Sequence, residues 1–297
     1  MKANIFVVNY LKHYSEVESK KRRKKYPPHG IYEEMLDIPY IDDGLYHHKF
    51  DVYHGTEPRK KCCIIDIHGG AYIFGYHQDQ YVFADKFLKH GYDWVSIDYR
   101  MNNGKMSIMD QVDDIVNNLK YVYSHLKELG LEGDNFVITG DSAGGHFALS
   151  MTEMLLDKEY AKEVGYEMPD IKPIAVLANC PVYNFSHMGE GVLTNLAMKR
   201  MFGPSYKNKK MFELLCPQTH LDSLTCPVFV STCKKDFIRI YSELLTKDME
   251  GRKNLFEIVD IDSDNKRVGH VHNVIDVNLP ESEQVNDAMR AFIEKCL

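Results

Sequence analysis

"VITGDSAGGHFA", residues 137–148, decides the fold. The run "NFVITG" (135–140), rich in β-branched residues, has the composition of a buried strand, and "AGGHFALSMTEMLLD" (143–157) has that of a helix. Between them stands G-x-S-x-G, as Gly140, Asp141, Ser142, Ala143 and Gly144. A serine on a tight strand-to-helix turn takes a strained backbone conformation. Glycines two before and two after it leave room for the chain to fold back. The turn pushes the hydroxyl out at the top of a sheet and onto a helix N-terminus, where the dipole favours developing negative charge. Ser142 is therefore read as a nucleophile, and Asp141 as a brace for the turn.

Outward from this motif, short apolar runs alternate with helical patterns. "CCIIDI" (62–67), "DWVSIDY" (93–99), "IAVLANC" (174–180), "PVFVST" (227–232) and "LFEIVDI" (255–261) read as strands. Residues 107–130 read as a helix, with Ile108, Val112, Ile115, Leu119, Val122 and Leu126 at three- and four-residue spacing and Gly130 at the end. Residues 281–297 form a final amphipathic pattern. Strands alternating with helices imply parallel pairing in an α/β layered sheet. One domain over 1–297 is expected. Between Pro181 and Cys226 the alternation stops, and this Met- and Leu-rich stretch reads as a helical insertion lying over the sheet.

Composition narrows the function classes. The chain has 297 residues, 44% hydrophobic and 27% charged, with a net charge of −7 that argues against nucleic acid as the main partner. Seven cysteines without a CxxC suggest neither a zinc site nor a disulfide framework, and a reducing cytoplasm is expected. The N-terminal "MKANIFVVNYLKHYSEVES" lacks the apolar core of a secretory signal, and no run approaches the ~18 apolar residues of a membrane span. "KKRRKK" (20–25) reads as a solvated basic arm.

A serine nucleophile needs an oxyanion hole, a base and an acid. "IIDIHGGAYIFG" (64–75) sets His68, Gly69 and Gly70 directly after a strand. The N–H groups of Gly69 and Gly70, with that of Ala143 after the nucleophile, are the expected oxyanion donors. His68 is read as holding the glycine loop by hydrogen bonds. Tyr72 is either a wall of the substrate pocket or a packing residue. In chain order the acid follows the nucleophile and the base comes last. Asp236 follows the strand in "PVFVSTCKKD" (227–236), and Asp260, Asp262 and Asp264 are read as the polar edge of the last strand. The base is expected in "VGHVHNVID" (268–276), where both His270 and His272 are available.

"HGGAY" (68–72) followed by "GDSAGG" (140–145), with "SIDYR" (96–100) between them, resembles the hormone-sensitive-lipase-like family of α/β-hydrolase esterases over about residues 62–297. The resemblance implies an α/β-hydrolase fold and a Ser–Asp–His triad. It further implies an oxyanion hole from the HGG loop, no metal or organic cofactor, and a cap built partly from the N-terminal segment. Cap elements are thus expected from 1–50 and 181–225. The family's His-x-aromatic pattern falls on His270 and His272 and selects His270 as base. Its Asp-Pro-Leu-Arg matches Asp236 and Arg239. The implied activity is a serine carboxylic ester hydrolase acting on small-molecule esters of short or medium acyl chains. The sequence departs from the family at "DYRMNNGK", at His146 and in "DFIRIY" (236–241), so the substrate stays open. Amide or formamide hydrolysis, carbohydrate deacetylation and a non-catalytic binding protein are the alternatives. The sequence carries no signal for oligomeric state.

Overall fold

The computed structural model describes residues 13, 16–21, 23–25, 31–185, 195–253 and 255–297. Six strands pair in parallel: β3 (Cys63–Ile67), β4 (Asp93–Ile97), β5 (Phe136–Asp141), β6 (Pro173–Asn179), β7 (Val228–Cys233) and β8 (Phe256–Ile261). Two more, β1 (Glu34–Pro39) and β2 (Lys49–Tyr53), add antiparallel pairs at one edge, so the order is β1-β2-β4-β3-β5-β6-β7-β8. Strands β3, β4 and β5 are buried along their whole length. Their near-continuous apolar runs follow from that, since both faces of a parallel sheet are covered by helices. Ile65, Ile67, Val95 and Ile138 pack on one face with the helices Ile108–Ser124 and Ala143–Leu156. Ile64, Trp94, Val137 and Leu177 pack on the other with Tyr81–Leu88 and Pro280–Cys296.

The register brings the key loops together. Ile67 stands opposite Gly140 and Asp141 opposite Asn179, so the HGG loop, the Ser142 turn and the end of β6 lie side by side at the carboxyl ends of neighbouring strands. The helix after β4 starts with a capping box: Ser107 accepts from Met109 N–H, and Asp110 accepts from Ser107 N–H. Arg100 pairs with Asp114 on that helix through Nε and a terminal nitrogen.

Two differences from the sequence reading are physical. Residues 34–39 and 49–50, inside the expected N-terminal cap, belong to sheet strands. The first strand alternates half-buried and exposed residues at the sheet edge, which leaves no apolar run to detect. The basic block is docked in part. Arg23 pairs with Asp79 at 2.6 Å and lies over the Tyr76 ring, and Ser19 donates to Asp79. Residues 1–12, 14–15, 22 and 26–30 of the expected N-terminal cap, and residues 186–194 of the insertion, fall outside the described residues.

The described part of the insertion holds the helices Asn195–Phe202 and Lys209–Leu214. It is anchored on Ala143–Leu156: His146 Nε2 donates to the Leu215 carbonyl at 2.7 Å, and Phe185 and Phe202 close an aromatic cluster with Tyr72 and His146. Burial pushes His146 down to about 4, so its ring is neutral.

Candidate active site

Ser142 has φ 55° and ψ −114°, a conformation costly for a residue with a Cβ. Its N–H donates to the Asn179 carbonyl at 2.8 Å, and its carbonyl accepts from His146 and Val182. A Cβ on Gly144 would lie 1.9 Å from the Ile67 carbonyl oxygen, so only glycine fits beneath the turn.

His270 bridges Ser142 and Asp236. Its Nε2 lies 2.9 Å from Ser142 Oγ and its Nδ1 lies 2.7 Å from Asp236 Oδ1. Burial alone would raise the Asp236 pKa. The hydrogen bond from His270, with that from the Ile238 N–H, holds it below the ordinary carboxylate value instead. An ionised Asp236 fixes the proton on Nδ1 and leaves the Nε2 lone pair facing the serine hydroxyl. The neighbouring histidine points elsewhere. His272 is buried, with Nδ1 2.9 Å from Ser282 Oγ, and burial lowers its pKa. Asp260 pairs with Arg239, and Asp262 with Lys234.

The glycine loop is held by a network that explains "DYR". Asp98 accepts from His68 Nε2 at 3.2 Å; Tyr99 stacks on the His68 ring and donates its hydroxyl to the His68 carbonyl. His68 Nδ1 meets the Gly69 carbonyl at 2.7 Å. Both ring nitrogens thus face acceptors. Burial opposes the charge, yet Asp98 raises the His68 pKa above its ordinary value, and both ring nitrogens are engaged within the loop network.

The structure shows the surroundings of two further expected site residues, Gly69 and Tyr72. The Gly69 N–H donates to Asp141 Oδ1 at 2.8 Å, and Gln80 donates to the same oxygen at 2.7 Å. That N–H is spent on bracing the loop against the Ser142 turn, and is not free for a further acceptor. Gly70 N–H and Ala143 N–H have no acceptor among the described residues. Gly70 has φ +127°, and a Cβ there would lie 1.8 Å from the Phe74 carbonyl oxygen. Tyr72 is sealed at 0% exposure against His146, Phe147 and Phe202. It presents no surface to a ligand in this arrangement, because the insertion covers its ring.

Two neighbours escaped the sequence reading. The Phe237 ring lies 4.5 Å from His270 and is 79% exposed, an apolar rim on the open side of the site. Cys180 Sγ accepts from Val271 N–H at 3.4 Å, and burial and then Asp236 hold its thiol protonated. Cys180 and Val271 both have positive φ, 44° and 51°, so two strained residues meet behind the histidine. No sequence signal marks them. Among the described residues, Cys180, Asp236 and His270 form one group with metal-ligand spacing, and Asp37, Asp51 and His77 another.

The BD-FAE family model matches residues 50–246. The chain belongs to the BD-FAE family. This membership is in keeping with the hormone-sensitive-lipase-like resemblance read from HGGAY and GDSAGG. The BD-FAE chain is 27% identical over 218 residues to the probable carboxylic ester hydrolase LipM of Mycobacterium tuberculosis, covering 67% of this chain and 47% of that protein. It is 26% identical over 220 residues to the esterase LipQ of the same organism, covering 70% and 51%. It thus spans about half the length of these curated relatives. Among solved structures, esterase B from Lactobacillus rhamnosis superposes with a TM-score of 0.86 at 20% identity, over 99% of this chain and 96% of that one. The fold is that of an α/β-hydrolase. No described helix is long and apolar enough to cross a membrane.

Proposed function

We propose that the protein is a serine carboxylic ester hydrolase acting on small-molecule esters of short to medium acyl chains. The observation that carries this reading is the unbroken hydrogen-bonded line Ser142 Oγ–His270–Asp236, together with the Gly70 and Ala143 N–H groups, which have no acceptor among the described residues. The names of the relatives LipM and LipQ point the same way.

Ser142 Oγ attacks the acyl carbonyl carbon as its proton passes to His270 Nε2. Asp236 stabilises the imidazolium that forms. The carbonyl oxygen, now negative, accepts from Gly70 and Ala143, each donor worth about 10²–10³ in rate. His270 returns the proton to the leaving alkoxide, and the alcohol departs from an acyl-enzyme. Water, deprotonated by the same nitrogen, attacks the acyl carbon and releases the acid, and Ser142 recovers its proton. The insertion over 181–225 serves as a cap. Cytoplasmic residence fits the seven free cysteines.

Hydrolysis of p-nitrophenyl esters from acetate to dodecanoate tests the substrate class. The rate is expected to peak at short to medium chains and to drop at least ~10³-fold in Ser142→Ala. A maximum at dodecanoate would contradict the acyl assignment, and a Ser142→Ala rate equal to wild type would contradict the reaction.

A further inference from the structure

The strongest unexplained arrangement lies away from Ser142, where the bulged edge strand meets the turn after the glycine loop. The register of β1 on β2 shifts between Met35 and Ile38, and Asp37 sits in the bulge at φ +54°. Bulges of this kind re-aim a side chain. Here the bulge sets the Asp37 N–H 2.7 Å from Asp51 Oδ1 on β2, and both carboxylates turn toward His77.

His77 is fully buried. Its Nδ1 lies 2.8 Å from Asp98 Oδ2, so that nitrogen carries a proton. Its Nε2 has no hydrogen-bond partner among the described residues, although it stands 3.4 Å from Asp51 Oδ1 and 3.5 Å from Asp37 Oδ1. A charge-assisted N–H···O bond closes to about 2.7–2.9 Å, so these approaches are too long for one. They match a different geometry. Two ligands of a tetrahedral ion bonded at ~2.0–2.1 Å stand about 3.3–3.4 Å apart.

We propose that Asp37, Asp51 and His77 form a divalent-metal site of the zinc class. The three donor atoms lie within 4.8 Å of one another. The ring nitrogen opposite the ion donates to a carboxylate, the usual support of a metal-bound histidine. Asp51 is braced in the same way, since its Oδ2 accepts from the Tyr53 hydroxyl at 2.8 Å. The Asp37 side chain is 45% exposed, which opens a route for the ion and a place for water as a fourth ligand. One imidazole and two carboxylates suit Zn²⁺ or Mn²⁺ better than a soft ion. Metal binding displaces the proton from Nε2 and uses the lone pair this frees. The ion ties the edge strands to Asp98, and through Asp98 to His68 before the glycine loop. The site is structural and independent of the hydrolase reading.

The test uses the full chain, stripped with EDTA, exposed to Zn²⁺ or Mn²⁺ and desalted. One ion per chain is expected by elemental analysis, with a rise in Tm. Asp37→Asn should release it, and asparagine keeps the size of the residue and tolerates positive φ. Cys180→Ala should retain it, because the other cluster with ligand spacing contains that cysteine. X-ray absorption of the zinc-loaded wild type gives a readout without variants: a shell of nitrogen and oxygen only is expected. No retained ion with either metal, undiminished retention in Asp37→Asn, or sulfur at about 2.3 Å would overturn the site.

Discussion

His270→Ala is expected to lower kcat by at least ~10⁴-fold, whereas His272→Ala should leave kcat within a few-fold and lower Tm. The two histidines stand two positions apart and have opposite surroundings. His270 reaches Ser142 at 2.9 Å and Asp236 at 2.7 Å. Without its ring, the serine proton has no acceptor and the acyl-enzyme has no base to activate water. His272 faces Ser282 inside the body of the protein. Its removal leaves a void and costs Ser282 Oγ the Nδ1 donor, although the hydroxyl keeps the backbone carbonyl of residue 272, a cost of about 1–3 kcal/mol in stability. Steady-state kinetics and thermal unfolding of both variants check the assignment. A His272→Ala enzyme as inactive as His270→Ala, yet folded, would reverse it.

Gly144→Ala is expected to destabilise the protein by more than ~4 kcal/mol, enough to remove most of the soluble yield. The added methyl would sit 1.9 Å from the Ile67 carbonyl oxygen and 2.5 Å from that of His68. Both atoms are backbone at the end of β3, so no rotamer relieves the contact, and the Ser142 turn and the glycine loop must separate. Gly269→Ala is the control. It lies next to His270, has no positive φ, and its Cβ would meet nothing within 4 Å. It should stay within ~1 kcal/mol of wild type by urea unfolding. Equal losses in the two variants would contradict the packing described for the turn.

The central strands were legible because β3 to β5 are buried on both faces and leave unbroken apolar runs such as Cys63–Ile67. The antiparallel edge was not. Glu34–Pro39 alternates half-buried and exposed residues and is broken by the bulge at Asp37. In the site, chain order places Ser142, Asp236 and a C-terminal histidine. Which histidine turns toward the serine depends on side-chain direction, which local sequence does not encode. Long-range partners were equally hidden. Asp141 takes the Gly69 N–H across 72 residues, and His77 lies near Asp37, Asp51 and Asp98 only because the sheet folds them together. Tyr72 reads as either a pocket wall or a packing residue by its place after the glycines, and only the ring of Phe202 from the insertion shows that it is covered.

The most direct test of the account is labelling of the native protein with a fluorophosphonate, followed by mapping of the adduct by mass spectrometry. An activated serine attacks phosphorus and an ordinary one does not. One adduct per chain is expected, on Ser142, absent from heat-unfolded protein and from Ser142→Ala and much slower to form in His270→Ala. A native protein that stays unlabelled, or labelling that persists in Ser142→Ala, would contradict this assignment.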